Sequence, residues 1–251
     1  MNALSSRMRL DQLLVERGFF ESRARARDAV LRGTVRVAGQ RVRKPGQTVA
    51  GDAEIVVEDP AQGYVSRAAL KLLHGLDVFG LDPRQAQALD IGASTGGFTQ
   101  VLLERGAAHV TAIDVGTEQM DARLRQDERL TCLEGVNART LTLETLGGRR
   151  PDFIVSDVSF ISLKLALPPA LAIAAPGARG LFLVKPQFEA GRAAIGKGGL
   201  LRVPEEAERV AQDLKHWLET VEGWEATGLA PSPIEGGDGN REFLLAGRKR
   251  Q

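Results

Sequence analysis

Residues 89–99 read Leu89-Asp90-Ile91-Gly92-Ala93-Ser94-Thr95-Gly96-Gly97-Phe98-Thr99, and the fold is decided there. An apolar strand, 86–91, ends in an acid and a glycine. A loop of small residues then opens a helix over 97–105. Gly92 and Gly96 let a backbone approach a ligand closely, because glycine has no Cβ and reaches φ > 0 freely. The glycines fall at 92, 96 and 97, so the G-x-G-x-x-G dinucleotide spacing is not met. No lysine follows, so the phosphate-cradling G-x-x-x-x-G-K-[ST] loop is not met either. A loop without a phosphate cradle suits a nucleoside or amino-acid ligand. The next strand, 109–115, carries Ala112-Ile113-Asp114, and an acid at the end of a second strand is placed to bind ribose hydroxyls.

Outward from this stretch, helix and strand patterns alternate. The spacing predicts helices over 66–79 (capped by Ser66), 117–126 and 204–221. It predicts strands over 130–133, 153–156, 180–185, 224–229 and 242–246. Such alternation implies an α/β domain with a mostly parallel central sheet and helices on both faces.

Composition narrows the class. The chain has 251 residues, 43% of them apolar and 26% charged, which is ordinary for a soluble globular protein. No apolar run approaches the ~18 residues of a membrane helix; the longest apolar-rich stretch, 163–175, is broken by Pro168 and Pro169. The first 14 residues lack the apolar core and cleavage site of a signal peptide, so a cytoplasmic protein without membrane association is expected. The one cysteine, Cys132, cannot form an internal disulfide. His74, His109 and His216 share no metal-binding motif, and no metal is expected.

The net charge of +1 is unevenly spread. Residues 1–50 hold 11 basic and 4 acidic side chains, a net of +7, which leaves 22 basic and 28 acidic, a net of −6, for residues 51–251. A basic head on a mildly acidic body suggests a polyanion-binding module. In the head, Leu10, Leu13 and Leu14 fall at helical spacing and Gly18 stops that helix. Ser22 caps a second helix, 23–32, that Gly33 ends. Val35-Arg36-Val37 and Arg41-Val42-Arg43 alternate as a hairpin about 38–40, and Ile55-Val56-Val57 adds a strand. Asp59-Pro60-Ala61-Gln62-Gly63 reads as a linker. The domains expected are therefore 1–59, a linker over 60–65, and 66–251.

The head, RLDQLLVERGFFESRARARDAVLRGTVRVAGQRVRKPGQTVAGDAEIVV, resembles the small α+β RNA-binding fold named for a small-subunit ribosomal protein, the S4 fold. Its turn is often Val-Asn-Gly; here it is Val37-Ala38-Gly39. The resemblance implies that Arg9, Arg23, Arg27, Arg41, Arg43 and Lys44 face RNA phosphates, contacts that position a protein without reading sequence.

The body resembles the Rossmann-like class I S-adenosylmethionine-dependent methyltransferases, in its glycine-rich loop and in Asp114. That resemblance implies a cofactor held by Asp90, Gly92, Ala93, Ser94, Gly96, Gly97, Phe98, Asp114, Val115, Asn137 and Ala138; the last two follow strand three, where this class meets adenine. Nucleobase amino-methyltransferases usually carry an Asn/Asp-Pro-Pro-aromatic motif after the fourth strand, whereas Ser156-Asp157-Val158-Ser159-Phe160 has no proline. Carbon methylation of pyrimidines usually needs a cysteine nucleophile, and Cys132 lies inside a strand pattern. Lys71, Asp157, Lys185 and Glu242 resemble, in that order, the catalytic tetrad of FtsJ-like ribose 2′-O-methyltransferases. With DIGASTGGFT, SDVSF and VKPQFE, the whole chain is similar to the TlyA (hemolysin A) family. What this implies is 2′-O-methylation of cytidine in ribosomal RNA of the small or large subunit, with ribosomal subunits as partners. A membrane-active cytolysin and an RNA-binding protein without catalysis are the alternatives.

Overall fold

The computed structural model describes residues 7–237 and 239–251; the signal-peptide reading of the N-terminus falls in part on residues 1–6, outside them. The chain divides into two units, 1–63 and 64–251.

In the first unit, β1 (Arg7–Arg9) leads into α1 (Leu10–Glu16), and α2 (Arg23–Arg32) follows. The strands β2 (Val35–Val37), β3 (Gln40–Val42) and β5 (Ile55–Val57) form a sheet in the order β3-β2-β5, while β4 (Thr48–Ala50) pairs antiparallel with β1. Ser22 caps α2 as its sequence position predicts, its Oγ accepting from Arg25 N at 3.3 Å, and Gly33 ends it at φ 75°. Leu10, Leu13 and Leu14 from α1 meet Ala26, Ala29 and Val30 from α2 and Val35 from the sheet in one core. The β2–β3 hairpin turns on Ala38 (φ 47°) and Gly39 (φ 76°). A two-residue turn with both φ positive costs an alanine ~1–2 kcal/mol that glycine does not incur, and asparagine, with its short polar side chain, tolerates this region too.

The second unit holds a seven-stranded sheet: β6 (Gln87–Ile91), β7 (His109–Asp114), β8 (Leu130–Glu134), β9 (Phe153–Ser156), β10 (Arg179–Val184), β11 (Trp224–Pro231) and β12 (Phe243–Lys249). Their order is β11-β12-β10-β9-β6-β7-β8. The neighbours from β10 through β8 are parallel; only β12, between β10 and β11, runs against the rest. Side chains alternate between two cores, as a sheet covered on both faces requires. Phe153 and Val155 of β9, with Leu181 and Leu183 of β10, pack with Leu72, Leu76, Phe98 and Leu102. Those four come from α3 (Ala69–Phe79) and α4 (Gly97–Glu104). Ile154, Phe182 and Val184 face the other side. There they meet α5 (Leu163–Ala166), α6 (Pro168–Ile173) and α8 (Glu206–Thr220); α7 (Pro186–Glu189) follows β10.

Two local expectations are corrected. The helix after Ser66 begins at Ala69, because Ser66 Oγ takes the Ala68 amide in a preceding turn. The helix expected over 117–126 is absent except for a 3₁₀ turn, Leu124–Gln126, because the amides of Glu118, Gln119 and Met120 point at Glu134 instead. The proline-broken stretch 163–175 forms two short helices, α5 and α6, with Pro168 and Pro169 in the first turn of α6, where a missing N–H costs nothing.

Candidate active site

The strand order reverses at β6: its chain successor β7 lies on one side and β9 on the other. Loops leaving β6 and β9 therefore part, and a crevice opens at the carboxyl ends of the strands. A cavity of about 630 Å³ occupies it, walled by Gly92 and Ser94 after β6, Asp114 and Val115 at β7, Asn137 and Ala138 after β8, and residues 157–161 after β9. A smaller cavity of about 160 Å³ adjoins it, lined by Ala93, Gly97, Phe98 and Lys185. The two share Gly92, Ser94, Asp157 and Ser159. A larger, open depression of about 830 Å³ includes Gly80, Arg84 and Gly106; it lies at the amino ends of β6 and β7, away from this crevice.

Asp114 ties the crevice together. Its Oδ2 accepts from Ser94 N and its Oδ1 from Gly116 N, both at 2.8 Å. Gly92 has φ 82°, and a Cβ there would stand 3.0 Å from Val158 Cγ1 and 3.1 Å from the Asp157 carbonyl oxygen, so the first residues after β9 pack directly against this glycine. Gly96 has a different reason from the one its sequence suggests. A Cβ on it would lie 2.4 Å from Leu124 Cδ1 and 2.6 Å from Met120 Sδ, and it lines neither cavity; the protein's own side chains fill the space. Asp90 also lines neither cavity. It is fully buried behind the loop, where its Oδ2 accepts from Thr99 Oγ1 at 2.6 Å and its Oδ1 has no partner among the described residues. Burial pushes its carboxyl up to about 7.

Glu134, at the end of β8, escaped the sequence reading. Its carboxylate accepts from Arg125 Nη2 at 2.6 Å and from the amides of Glu118, Gln119 and Met120. These bonds, Arg125 first, hold it down at about 2. The loop after Asp114 is thereby fixed by a carboxylate, where a helix was expected. The only sequence signal was an acid closing a strand, as at Asp114.

Asp157, Lys185 and Glu242 flank the ends of three neighbouring strands. In register, Ser156 faces Phe182 and Val184 faces Phe243, so the next residues outward meet at one edge. Lys185 Nζ lies 2.6 Å from Asp157 Oδ1 and donates to Ser159 Oγ at 2.8 Å. Lys71, on α3, lies with its Nζ 2.5 Å from Glu242 Oε2. This second pair is buried, at 5% and 4% exposure. The four residues thus form two ion pairs at the carboxyl end of the sheet. Ser159 and Glu189 are additions that the sequence did not single out. Glu189, the last residue of VKPQFE, accepts from Ser162 Oγ at 2.5 Å and from Leu163 N at 2.7 Å, tying the chain after Asp157 to the helix after Lys185. Burial raises its carboxyl above the ordinary glutamate range. Across the same junction the Phe160 and Phe188 rings lie 5.1 Å apart, with Phe160 at φ 64° and 91% exposed.

In the first unit, Arg9 and Arg23 converge on one buried carboxylate. Asp11 accepts from Arg9 Nε and Nη2 at 3.0 and 2.9 Å and from Arg23 Nη2 at 3.2 Å. Asp11 read only as a polar helix residue in the sequence; these guanidinium groups, Arg9 first, lower its carboxyl pKa. Arg41 and Arg43 pass over Gly33, whose missing Cβ would lie 3.1 Å from Arg43 Nε and 3.2 Å from Arg41 Cδ. Arg27 and Lys44 are exposed.

Comparison with known proteins bears on both units. The FtsJ-like methyltransferase family matches residues 64–249, and the S4 domain matches residues 8–55. YqxC of Bacillus subtilis is 43% identical over 96% of this chain and 85% of its own. The 16S/23S rRNA (cytidine-2′-O)-methyltransferase TlyA of Mycobacterium tuberculosis is 42% identical over 96% of this chain and 90% of its own. A solved structure from Streptococcus thermophilus, 40% identical, superposes with a TM-score of 0.75 over 98% of this chain and 90% of that one.

Proposed function

The chain belongs to the FtsJ-like methyltransferase family, in its TlyA branch, and from that premise we propose that it methylates the 2′-hydroxyl of a cytidine in ribosomal RNA. S-adenosylmethionine is the methyl donor in this reading, and ribosomal subunits in the cytoplasm are the partners.

The crevice fits that cofactor. Its volume of about 630 Å³ is within the ~300–1,000 Å³ of pockets that enclose small molecules. Asp114 keeps carboxylate lone pairs beyond the two spent on Ser94 and Gly116, enough to accept from ribose hydroxyls. Gly92 leaves backbone open to both cavities, and Asn137 and Ala138 line the far wall. Ala93, Ser94, Gly97, Phe98 and Val115 complete the site; Asp90 and Gly96 support it from behind. When bound, the cofactor supplies an electrophilic sulfonium methyl group.

Lys185 orients the attacking hydroxyl. An ammonium has three donors; Asp157 and Ser159 take two, and the third is free for a substrate oxygen. Asp157 fixes the lysine and accepts a proton from it as Lys185 takes the hydroxyl proton in its place, so the proton ends on the carboxylate. Lys71 and Glu242 line neither cavity; their buried pair braces the strand end beside Lys185, because separating it strands a charge. Fixing the hydroxyl in line can supply ~7 kcal/mol or more of the barrier. The observation that carries the reading is this lysine–carboxylate pair where the two cavities meet. The basic head, with Arg9, Arg23, Arg27, Arg41, Arg43 and Lys44, binds the RNA backbone.

The test is transfer of labelled methyl groups to purified 30S and 50S subunits, followed by mapping of the modified nucleotide. Label on a cytidine ribose is the expected result. Label on a base, or none on RNA, rejects it. Among the described residues no helix is long and apolar enough to cross a membrane.

A further inference from the structure

Residues 190–203, between α7 and α8, read Ala-Gly-Arg-Ala-Ala-Ile-Gly-Lys-Gly-Gly-Leu-Leu-Arg-Val, with three basic residues and no acidic one. They interrupt a stretch of chain, 51–251, whose net charge is −6. Arg192, Lys197 and Arg202 are all exposed. None of the three forms an ion pair among the described residues. The contrast with other arginines of this unit is plain: Arg123 pairs with Asp121, Arg129 with Asp127 and Arg248 with Glu225.

This basic segment is nonetheless shaped. Ile195 bridges to Leu201, Gly196 N donates to Leu200 O at 2.7 Å, and Arg202 N donates to Ala194 O at 2.9 Å. One buried side chain clasps it from outside. Asn240, 5% exposed, accepts from Leu201 N at 3.2 Å through Oδ1 and donates to Gly199 O at 2.9 Å through Nδ2. Asn240 stands two residues before Glu242, and the segment starts five residues after Lys185. The hairpin is therefore tied at its start to the chain leaving Lys185 and, through Gly199 and Leu201, to a residue two positions before Glu242. A buried amide spent on an exposed cationic loop fixes where those cations stand.

We propose that the hairpin at 191–203 is a second RNA-backbone element, carried by the catalytic unit, whose three cations grip phosphates flanking the target nucleotide. The proposal rests on the reading of the protein as an RNA methyltransferase. Phosphate contacts hold a strand in register without reading its sequence, which is what a hydroxyl brought to Lys185 requires.

The experiment compares the full-length protein with the triple variant Arg192→Gln/Lys197→Gln/Arg202→Gln, using purified 30S and 50S subunits across a salt series. The expected result is a kcat close to the parent's and a raised KM for subunits. The log–log salt slope should flatten by about 2–3, so that the parent's advantage narrows roughly 16- to 64-fold between ~50 and ~200 mM salt. Arg192→Lys/Arg202→Lys, which keeps the charge, should retain the parent's KM and slope. Asn240→Ala, with all three cations in place, should raise KM; a fall in kcat at unchanged KM would overturn its role as the clasp. Equilibrium binding of parent and triple variant to the same subunits is measured alongside. If the parent transfers no methyl group, the functional reading fails, and the binding arm still decides the hairpin. Unchanged affinity and salt slope in the triple variant overturn the proposal, as does lost binding to phosphatidylserine vesicles with subunit binding intact.

Discussion

Lys185 sits where three demands coincide: it ends an apolar strand, precedes Pro186, and has Asp157 and Ser159 as partners at 2.6 and 2.8 Å. Replacing it should strike the chemical step. Lys185→Met, which keeps the aliphatic stem, should lower kcat by ~10²–10⁴-fold, the range for groups that handle the reacting proton. Cofactor affinity should hold, and the melting temperature should fall, because the mostly buried Asp157 carboxylate loses its partner. A rate within about tenfold of the parent's, below that range, would remove Lys185 from the chemistry. Asp114 makes a different prediction. Its two backbone bonds shape the loop as well as leaving lone pairs for a ligand, so Asp114→Asn retains one acceptor where Asp114→Ala has none. The alanine variant should lose ~1.5–3 kcal/mol of cofactor binding, the value of hydrogen bonds to a charged group, and the asparagine variant less. Equal affinities for parent and alanine variant by calorimetric titration would reassign the wall.

Between elements, the join of β6 to α4 runs through Asp90 and Thr99. Asp90 has no exposed surface, and its carboxyl stands at about 7 against 3.8 for an ordinary aspartate. The folded state therefore holds this proton more tightly than the unfolded chain. The group's contribution to stability is greatest below pH ~4, falls as pH rises through ~7, and is flat above. Asp90→Asn keeps an oxygen to accept from Thr99 and removes the titration. It should be more stable than the parent at pH 8, by an amount on the order of a few kcal/mol, and should differ less at pH 5. Urea unfolding at the two pH values measures this, and a parent-to-variant gap that does not change with pH contradicts it. Glu134 works in the opposite sense at the neighbouring loop. Its carboxyl is held down at about 2, so its bonds to the 118–120 amides persist through mildly acidic pH.

The whole molecule separates its charge from its chemistry. Eleven of the 33 Lys+Arg lie in the first 50 residues, and the two ion pairs lie in the unit that begins at Tyr64. Loss of the head's cations should therefore weaken RNA binding and leave cofactor binding alone. Arg9→Gln/Arg23→Gln leaves Asp11 buried without its guanidinium partners, so Asp11→Asn is included to keep the core neutral. In that triple variant the salt dependence of subunit binding should flatten by about 1–2 in log–log slope. An unaltered slope would refute the assignment of these two arginines to phosphate.

Much of this was legible along the chain because local rules were sufficient for it. Short apolar runs marked β6, β9 and β10, Ser22 and Gly33 bounded α2, and the motif residues Asp157, Lys185 and Glu242 stood at strand ends. Each such signal is set by neighbours a few residues away. Other features were decided by contacts distant in sequence. Whether 117–126 became a helix depended on Glu134 offering its carboxylate to three amides. Gly96 is glycine because Met120 and Leu124 occupy its Cβ position. Asp11, Ser159, Glu189 and Asn240 gained their roles only once partners were folded against them, since a polar side chain reads as solvated until its burial and its partner are known. The sequence by itself determined most of the elements and the family, and it singled out the four ionisable residues. Tertiary structure alone decided how those four divide into two ion pairs and which carboxylates and amides hold the loops around them, because hydrogen-bond partners are chosen by proximity in space and not by spacing along the chain.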